Sequence, residues 1–583
     1  MTTGSPAVLL LALPWNRADY PSVQVGLLKA SLRRRGFRVS AAYPYLQLAS
    51  ILGDDLYQRV ADLLHPLLTE GFFAEALEMR VNSLLSEEIL KTGELDGAQI
   101  ETIRQVIPEF LDLVFGMIPW QDFQVVGFSC SFNQVFASLA LAQRVKKAYP
   151  AIRIVMGGGN LSGPAGKRVL SNYRFIDCVI SGPGEEALSE YLLSGHAGEQ
   201  RYLVGTAVRP EEVCVPDYDE FFAHAGDPGN LCLIACASYG CSYGLCAFCS
   251  QNTVSGYHPV SAGKIVESVT ELSRRYPAAM IEFADTSFPN SILDQKTVAR
   301  FAASGKRFFA EMLPSLDDSK ARALSEAGFT TIQLGIESFS TSVLRRMRKP
   351  TDLVTNVYNL RLAYEYEINV SYNLILDFPP LNESECRALM QVMPTIFHLS
   401  PPTSLVQFVL QGGSEVQVNP ERFGITRFEP HRFYRAVTER YFSDQGLLPA
   451  YFQYANPNPE SAPFKAIDKI CRAWEETFDP VDSSLCYQAG ETLDIFDRRG
   501  GVIQIDHLNV RESLLLRHLF DPKNIEAGSG VLIGGKCFDK EFDSLLEKRL
   551  ILYDSSKAVS LPVSRKHRSL DKVFVNSAFS QAS

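Results

Sequence analysis

Cys241, Cys246 and Cys249 stand in a C-x4-C-x2-C spacing inside the run from Cys236 to Asn252. Three thiolates on one short, glycine-containing loop can converge on one metal centre, and soft thiolate donors select iron–sulfur clusters or zinc. A structural zinc site wants a fourth Cys or His at short spacing. Cys236 is near but ends the preceding strand, and His258 is the other candidate. Three ligands without a convincing fourth suit a [4Fe–4S] cluster whose open iron binds a substrate or cofactor, with zinc as the alternative. A second kind of chemistry is suggested by three small-residue clusters, Ser129-Cys130-Ser131, Gly157-Gly158-Gly159-Asn160 and Gly182-Pro183-Gly184-Glu185. Each alone reads as a tight turn. Together they line one edge of a sheet as a cofactor face. None is G-x-G-x-x-G, so nicotinamide is not implied.

The elements that must carry these residues alternate. Apolar runs Val8–Leu13, Phe37–Ala42, Val125–Ser129, Ile152–Met156 and Cys178–Ser181 read as strands, with helices over Val23–Arg35, Ser138–Lys147 and Ala165–Leu170. Continuous apolar strands between amphipathic helices predict a parallel sheet covered on both faces, a Rossmann-like domain over 1–215. A stretch from about 51 to 120 breaks the alternation and reads as a helical insertion. The small-residue clusters then fall at the carboxyl ends of strands, where open α/β sheets bind ligands. Loop residues near 215–229 mark a boundary. Over 216–437 strands Leu231–Ala235, Met280–Ala284, Thr331–Gly335, Val370–Leu376 and Leu405–Leu410 alternate with helices Ala262–Tyr276, Asp317–Ala327 and Thr355–Tyr366. This pattern predicts a full or partial β/α barrel with its chemistry at the strands' C-terminal ends. Residues 438–583 read as a small mixed α/β domain for substrate binding or capping, with helices Glu512–Phe520 and Glu541–Lys548 and a hairpin over Leu550–Leu561.

Composition narrows the partners. The 583 residues are 46% hydrophobic and 21% charged, with a net charge of −10, which excludes a disordered chain and argues against phosphate-driven nucleic-acid binding. No apolar run reaches the ~18–20 residues of a membrane span. Met1–Leu13 has no basic n-region, so no signal peptide is expected. Twelve cysteines in so long a chain do not make a disulfide scaffold. A cytoplasmic monomer is the expectation.

The cysteine loop in this setting resembles the radical S-adenosylmethionine (radical SAM) superfamily. Within it, the chain looks like the cobalamin-binding branch, and most like the C-methyltransferases of ribosomal peptide natural-product maturation. The motifs that carry the resemblance run in order through most of the chain: Leu13-Pro14-Trp15, Pro21–Lys29, Val126–Ser129, Gly157–Asn160, Ser181–Glu185, Phe248-Cys249, Gln333–Ser338, Met347-Arg348-Lys349, Tyr372–Leu374, Pro420–Gly424 and Lys548–Leu550. The chain departs from the family where a usual Gly-Phe-Pro-Gly becomes Asp377-Phe378-Pro379-Pro380, in the shorter gap between Cys241 and Cys246, and in Phe408–Ser414.

The resemblance implies three cofactors: a [4Fe–4S] cluster on Cys241, Cys246 and Cys249, SAM on its open iron, and cobalamin. It implies that Phe248 packs SAM's adenine, that Glu337 and Ser338 lie near SAM's polar groups, and that Asn373 serves the ribose. Asp285 is a weaker candidate. The N-terminal cofactor face would comprise Ser129, Ser131, Gly157, Gly158, Gly159, Asn160, Gly182, Gly184 and Glu185. The D-x-H-x-x-G motif that gives cobalt a histidine is missing, and His65 reads as structural. Trp15 and Arg17 are the candidates to cover the lower face of cobalt. The implied activity is methyl transfer to a carbon of a peptide or natural product, using two SAM molecules and an external electron donor such as flavodoxin or ferredoxin. A non-methylating rearrangement, cyclisation or other SAM-derived group transfer on a small molecule is the alternative, and no catalytic acid or base is singled out.

Overall fold

The computed structural model describes residues 6–77, 84–131, 133–194, 201–226, 228–250, 256–380, 382–437, 450–454, 462–525 and 531–565. β1 (Ala7–Ala12) is apolar and buried at every position, as a strand covered on both faces must be. It is the pivot of a six-stranded parallel sheet, order β2-β1-β3-β4-β5-β6. The others are β2 (Arg38–Ala42), β3 (Val125–Ser129), β4 (Arg153–Gly157), β5 (Cys178–Ser181) and β6 (Tyr202–Val204). α1 (Val23–Arg34) starts at Ser22, whose hydroxyl accepts the Val25 N–H. The connection from β2 to β3 is helical: α2 (Tyr45–Leu52), α3 (Asp54–Leu63), α4 (Pro66–Ala74), α5 (Leu84–Thr92) and α6 (Gly97–Met117). It therefore begins earlier than the expected 51. α7 (Val135–Ala148), α8 (Pro164–Asn172) and α9 (Glu185–Leu193) return the chain between the later strands. Because β2 and β3 leave β1 on opposite sides, a crevice opens at the carboxyl ends of β1 and β3.

α10 (Asp219–His224) leads into the second unit. β7 (Cys232–Ala235) is followed by β8 (Ser238–Tyr239) and β9 (His258–Pro259), a two-residue antiparallel ladder that brackets the cysteine loop. Then come α11 (Ala262–Arg275), β10 (Met280–Phe283), α12 (Gln295–Ala303), β11 (Arg307–Met312), α13 (Asp318–Ala327), β12 (Phe329–Leu334), α14 (Thr341–Arg346), α15 (Leu353–Glu365), β13 (Asn369–Ser371), β14 (Asn373–Leu376), α16 (Glu383–Val392) and β15 (Ser404–Gln407). Strands β7, β10, β11, β12 and β13 form one parallel sheet, and β14 pairs with β15 beside it. A parallel bridge from Glu337 to Leu374 joins the two into an open arc, a partial barrel.

β11 is absent from the sequence expectation, because Arg307 and Glu311 interrupt its apolar run. The expected single strand Val370–Leu376 is two, parted at Tyr372, whose buried hydroxyl donates to Ser400 O at 2.9 Å. Two faces can be told apart along the arc. Phe283, Phe308 and Phe329 pack on Phe301 of α12, so their side is the outer one. Glu282 and Glu311 alternate with these rings and so face inward, and a bulge between Phe329 and Thr331 brings Gln333 to the same side, opposite Glu311.

The remaining chain forms a mixed α/β unit. Antiparallel strands Leu485–Ala489, Leu493–Asp497 and Gln504–His507 and a hairpin of Ile551–Asp554 with Lys557–Ser560 are joined by helices Val510–His518 and Asp539–Glu547. Arg361 on α15 donates to Ser560 O at 2.9 Å, and Trp474 Nε1 donates to Leu399 O at 2.8 Å, so the unit is bolted to α15 and to the loop before β15.

Candidate active site

The cysteine loop leaves β7 and is clamped onto one short segment, Met347-Arg348-Lys349. Ala247 N–H donates to Met347 O at 2.8 Å, and the Tyr243 hydroxyl donates to Arg348 O at 2.6 Å. Ala247 and Met347 are buried with Phe378, Phe408 and Phe423, and Phe248 packs against this cluster. The anchored apolar residues leave the three cysteines half-buried and outside any disulfide. Burial pushes the Cys246 thiol up to about 11, opposed by Lys349 and reinforced by Cys249 and Cys241, so the three sulfurs share one electrostatic neighbourhood. No set of three or more His, Cys, Asp or Glu among the described residues closes tightly enough for a single metal ion. A [4Fe–4S] cluster takes each of these thiolates on a separate iron, which suits a set of three thiols on one loop. Cys236 lies towards Asp285 and Glu185, and His258 is an exposed member of the β8–β9 ladder. Gln251 and Asn252 lie outside the described residues.

Lys349 is the cation of this site, and spacing alone did not single it out. Its Nζ lies 3.1 Å from Glu337 Oε1, with the side chain 4% exposed. Burial would lower its pKa, but Glu337 and the thiols of Cys246 and Cys241 outweigh that and hold it above the ordinary lysine value. Gly335 makes room for the pair: a Cβ there would stand 2.7 Å from Nζ. The same Nζ sits 6.0 Å from the centre of the Phe248 ring. Glu337, three residues after β12, is in a left-handed conformation, φ 58°, with its carbonyl accepting Ile375 N–H at 2.9 Å. Ser338 is buried and its hydroxyl accepts Ser340 N–H at 3.2 Å, so the turn itself uses that group. Asn373 Oδ1 accepts the Ser404 hydroxyl at 2.6 Å, tying β14 to β15. Asp285 is likewise engaged, accepting Ala237 N–H at 2.9 Å and the Ser238 hydroxyl; burial raises it to about 6. Asp377, where the family has glycine, takes φ 61°, a conformation Asp tolerates better than most side chains.

At the crevice of the first sheet, the loops after β1 and β3 are tied together. Gln134 Nε2 donates to Leu13 O at 2.7 Å while its Oε1 accepts Ser131 N–H at 2.9 Å. Glu70, from α4, accepts the first N–H groups of α7, Val135 at 2.8 Å and Phe136 at 2.7 Å. A helix N-terminus at this place would otherwise receive an anion; here the chain's own carboxylate occupies it, raised to about 7 by burial. Trp15 is buried among Tyr57, Phe72 and Phe73, and its indole N–H donates to Thr69 O at 3.1 Å. Arg17 pairs with Asp19 at 2.7 Å and Asp62 at 3.4 Å and lies over the Tyr20 ring. Ser129 is buried at the end of β3. Gly157 fits against Ile180 O, and Gly158, at φ 111°, passes so close to Cys130 that a Cβ would meet its carbonyl oxygen at 2.3 Å. Gly159 and Asn160 are exposed, and nothing stands within 4 Å of a Cβ on Gly159. Gly182 and Gly184 position Glu185, whose carboxylate accepts the Tyr239 hydroxyl at 3.1 Å, linking sheet to barrel.

The end of β4 thus stays open, while β1 runs into the buried Leu13-Pro14-Trp15 and the start of α7 is filled. That leaves an uncluttered rim at Gly159–Asn160, which suits a large cofactor's tail. No histidine stands in the loops that end β1, β3, β4 or β5. His65 caps α4, with Nδ1 accepting Leu67 N–H at 3.2 Å, and stacks on His431, in line with a structural role.

The family model of the radical SAM superfamily matches residues 236–393, the segment that carries the thiols, Lys349 and Glu337. This segment is a radical SAM domain. An uncharacterized methyltransferase of Pyrococcus horikoshii is 22% identical over 300 residues, 46% of this chain and 64% of that relative, so the match spans less than two thirds of the relative's length. The cobalamin-dependent radical SAM enzyme OxsB, solved with aqua-cobalamin, superposes with a TM-score of 0.53 at 13% identity, over 81% of this chain and 66% of OxsB. The radical SAM methyltransferase TsrM from Kitasatospora setae, solved with cobalamin and a [4Fe–4S] cluster, gives 0.53 at 14%, over 81% and 89%. At such identities the likeness is one of fold. The chain has that fold: a Rossmann-like sheet, a partial radical SAM barrel and a mixed α/β C-terminal unit. The radical SAM domain implies a [4Fe–4S] cluster and SAM as cofactors, and the two fold neighbours were solved with cobalamin bound.

Proposed function

We propose that this chain is a cobalamin-dependent radical SAM methyltransferase acting on a carbon of a peptide or other natural product. The observation that carries the reading is the clamped three-thiol loop at the mouth of a barrel, joined through Tyr239 and Glu185 to a parallel sheet whose switch point lies between β1 and β3. The names of TsrM and of the Pyrococcus relative support methyl transfer. When bound, the cluster with SAM supplies a hydrogen-abstracting radical, and cobalamin supplies a methyl group.

The chain's own residues bind and orient. Cys241, Cys246 and Cys249 hold the cluster, and Lys349 offsets its thiolate charge while fixing Glu337. Phe248 offers a flat apolar face beside the loop, and Asn373 and Ser404 present a polar edge from the next strands. The rim at Gly159–Asn160 and the Arg17 loop border the cobalamin side, where none of the described loops supplies a histidine. An external one-electron donor such as flavodoxin or ferredoxin completes the scheme.

Anaerobic turnover with candidate substrates should yield S-adenosylhomocysteine and 5′-deoxyadenosine in about equal amounts per methylated product. Adenosylhomocysteine without deoxyadenosine would overturn the radical route. A second reading, rearrangement or cyclisation without methyl gain, is favoured by the likeness to OxsB, described as a radical enzyme rather than a methyltransferase. Deoxyadenosine with no gain of a methyl mass would select it.

A further inference from the structure

The inner face of the barrel carries two carboxylates that nothing in the site above uses. Glu282 stands on β10 and Glu311 on the adjacent parallel strand β11. The register sets Glu282 opposite Phe309, so Glu311 follows two residues further towards the strands' C-terminal ends, on the same face. Gln333 of β12 lies opposite Glu311.

Glu282 Oε2 is shut off from solvent and has no hydrogen-bond partner among the described residues. The carboxyl is held towards the first sheet by Tyr20, from the loop after β1. The charged groups that bear on Glu311 are all carboxylates: Glu282, Glu337 and Asp285. The nearby cations are already engaged, Lys349 by Glu337 and Arg17 by Asp19 and Asp62. Burial pushes both Glu282 and Glu311 up to about 7, which shows how poorly their charge is compensated.

A structural carboxylate in such a place accepts N–H groups, as Glu70 and Asp285 do here. An orphaned, solvent-inaccessible carboxylate oxygen is costly unless a partner arrives. The pair has neighbours from both units, Tyr20 of the loop after β1 at Glu282 and Glu337 of the cysteine-loop neighbourhood at Glu311. We propose that Glu282 and Glu311 form a subsite for a cationic group of the substrate, a protonated amine or guanidinium. This rests on the reading that substrate occupies the barrel lumen between the two cofactor sites. SAM's own ammonium is the other source of such a cation, and the experiment separates the two.

The full chain, purified anaerobically, is titrated calorimetrically at pH 8 with agmatine and, separately, with 5-amino-1-pentanol, 1-pentanol and SAM. Saturable binding of the two amines with at least about tenfold weaker binding of pentanol is expected. E282Q/E311Q should weaken amine binding by about tenfold or more while leaving SAM affinity within about twofold. Should the double variant fail to fold, E311D and E282Q taken singly serve the same comparison. Equal binding of amines and pentanol, or amine binding untouched by the variants, would overturn the subsite. Loss of SAM affinity in place of amine affinity would assign the pair to SAM and likewise overturn it. Iron content and SAM cleavage, measured on the same wild-type samples, report separately whether the radical SAM reading holds.

Discussion

At the scale of single residues, Lys349 and Glu70 show how much a buried charge depends on its partner. Removing one side of a buried ion pair costs about 3–5 kcal/mol, because the other charge stays behind. K349M should therefore lower both the unfolding midpoint and the iron retained by the anaerobically purified chain, and K349R should restore the first more than the second. Unchanged iron content in K349M would contradict the role given to Lys349. Glu70 gives a pH test. Its folded value of about 7 stands above the ~4.3 of an unfolded glutamate, so the stability it lends is complete below ~4.3 and is lost as pH rises through 7. Glutamine does not titrate. The stability of wild type relative to E70Q should thus fall by about 3 kcal/mol between pH 4 and 8, and parallel pH curves would contradict it. The thiols were legible because three cysteines at short spacing have few other uses. Lys349 does not stand out in the sequence, since a lone lysine after a helix reads as solvated until the fold buries it. Glu282 and Glu311 were invisible because a charge in a short apolar strand gives no sign of facing a lumen.

Elements explain why neighbouring glycines differ. Gly158 is fixed by the backbone crossing at Cys130, while Gly159 faces open space. G158A should cost about 2 kcal/mol or more, through both the contact and the positive φ, and G159A should leave the urea midpoint near wild type. Any effect of G159A is then expected in cobalamin retention, read from the visible spectrum of the purified chain. Equal unfolding midpoints for the two variants would contradict this division. In the sequence all four residues Gly157–Asn160 looked alike, because composition does not say which glycine meets another backbone. Five strands of the first sheet are legible as apolar runs, while β6 is not, because the three residues Tyr202–Val204 are too short to stand out from a loop. β11 was not, as its outer row Phe308, Ala310 and Met312 is apolar but its inner row carries Glu311. Tyr372 hid a second break, since its ring continues the apolar pattern where the pairing changes from β13 to β14.

Across the whole molecule the two α/β units are locked by a buried charge cluster. Lys29 of α1 is fully buried and donates to Asp217 at 2.8 Å and to Glu220, Arg33 joins Asp217 at 2.7 Å, and Arg275 of α11 closes the cluster on Asp219 at 2.7 Å. K29M should destabilise the chain by about 3–5 kcal/mol and speed proteolytic cleavage around residues 205–231, where the sheet passes into the barrel. Cleavage at the wild-type rate would contradict the lock. The alternation of strands and helices foretold two units of this kind, but charged residues on a helix read as its solvated face, so the lock between them was not foretold. The account as a whole rests on what Cys241, Cys246 and Cys249 hold. The most direct measurement is iron and acid-labile sulfide in the anaerobically purified chain, with 5′-deoxyadenosine released from SAM after reduction, compared between wild type and the variant with all three cysteines changed to alanine. The account predicts about four irons and four sulfides per wild-type chain with reductive SAM cleavage, and loss of all three in the variant. Stoichiometric zinc without iron in the wild-type chain would contradict it.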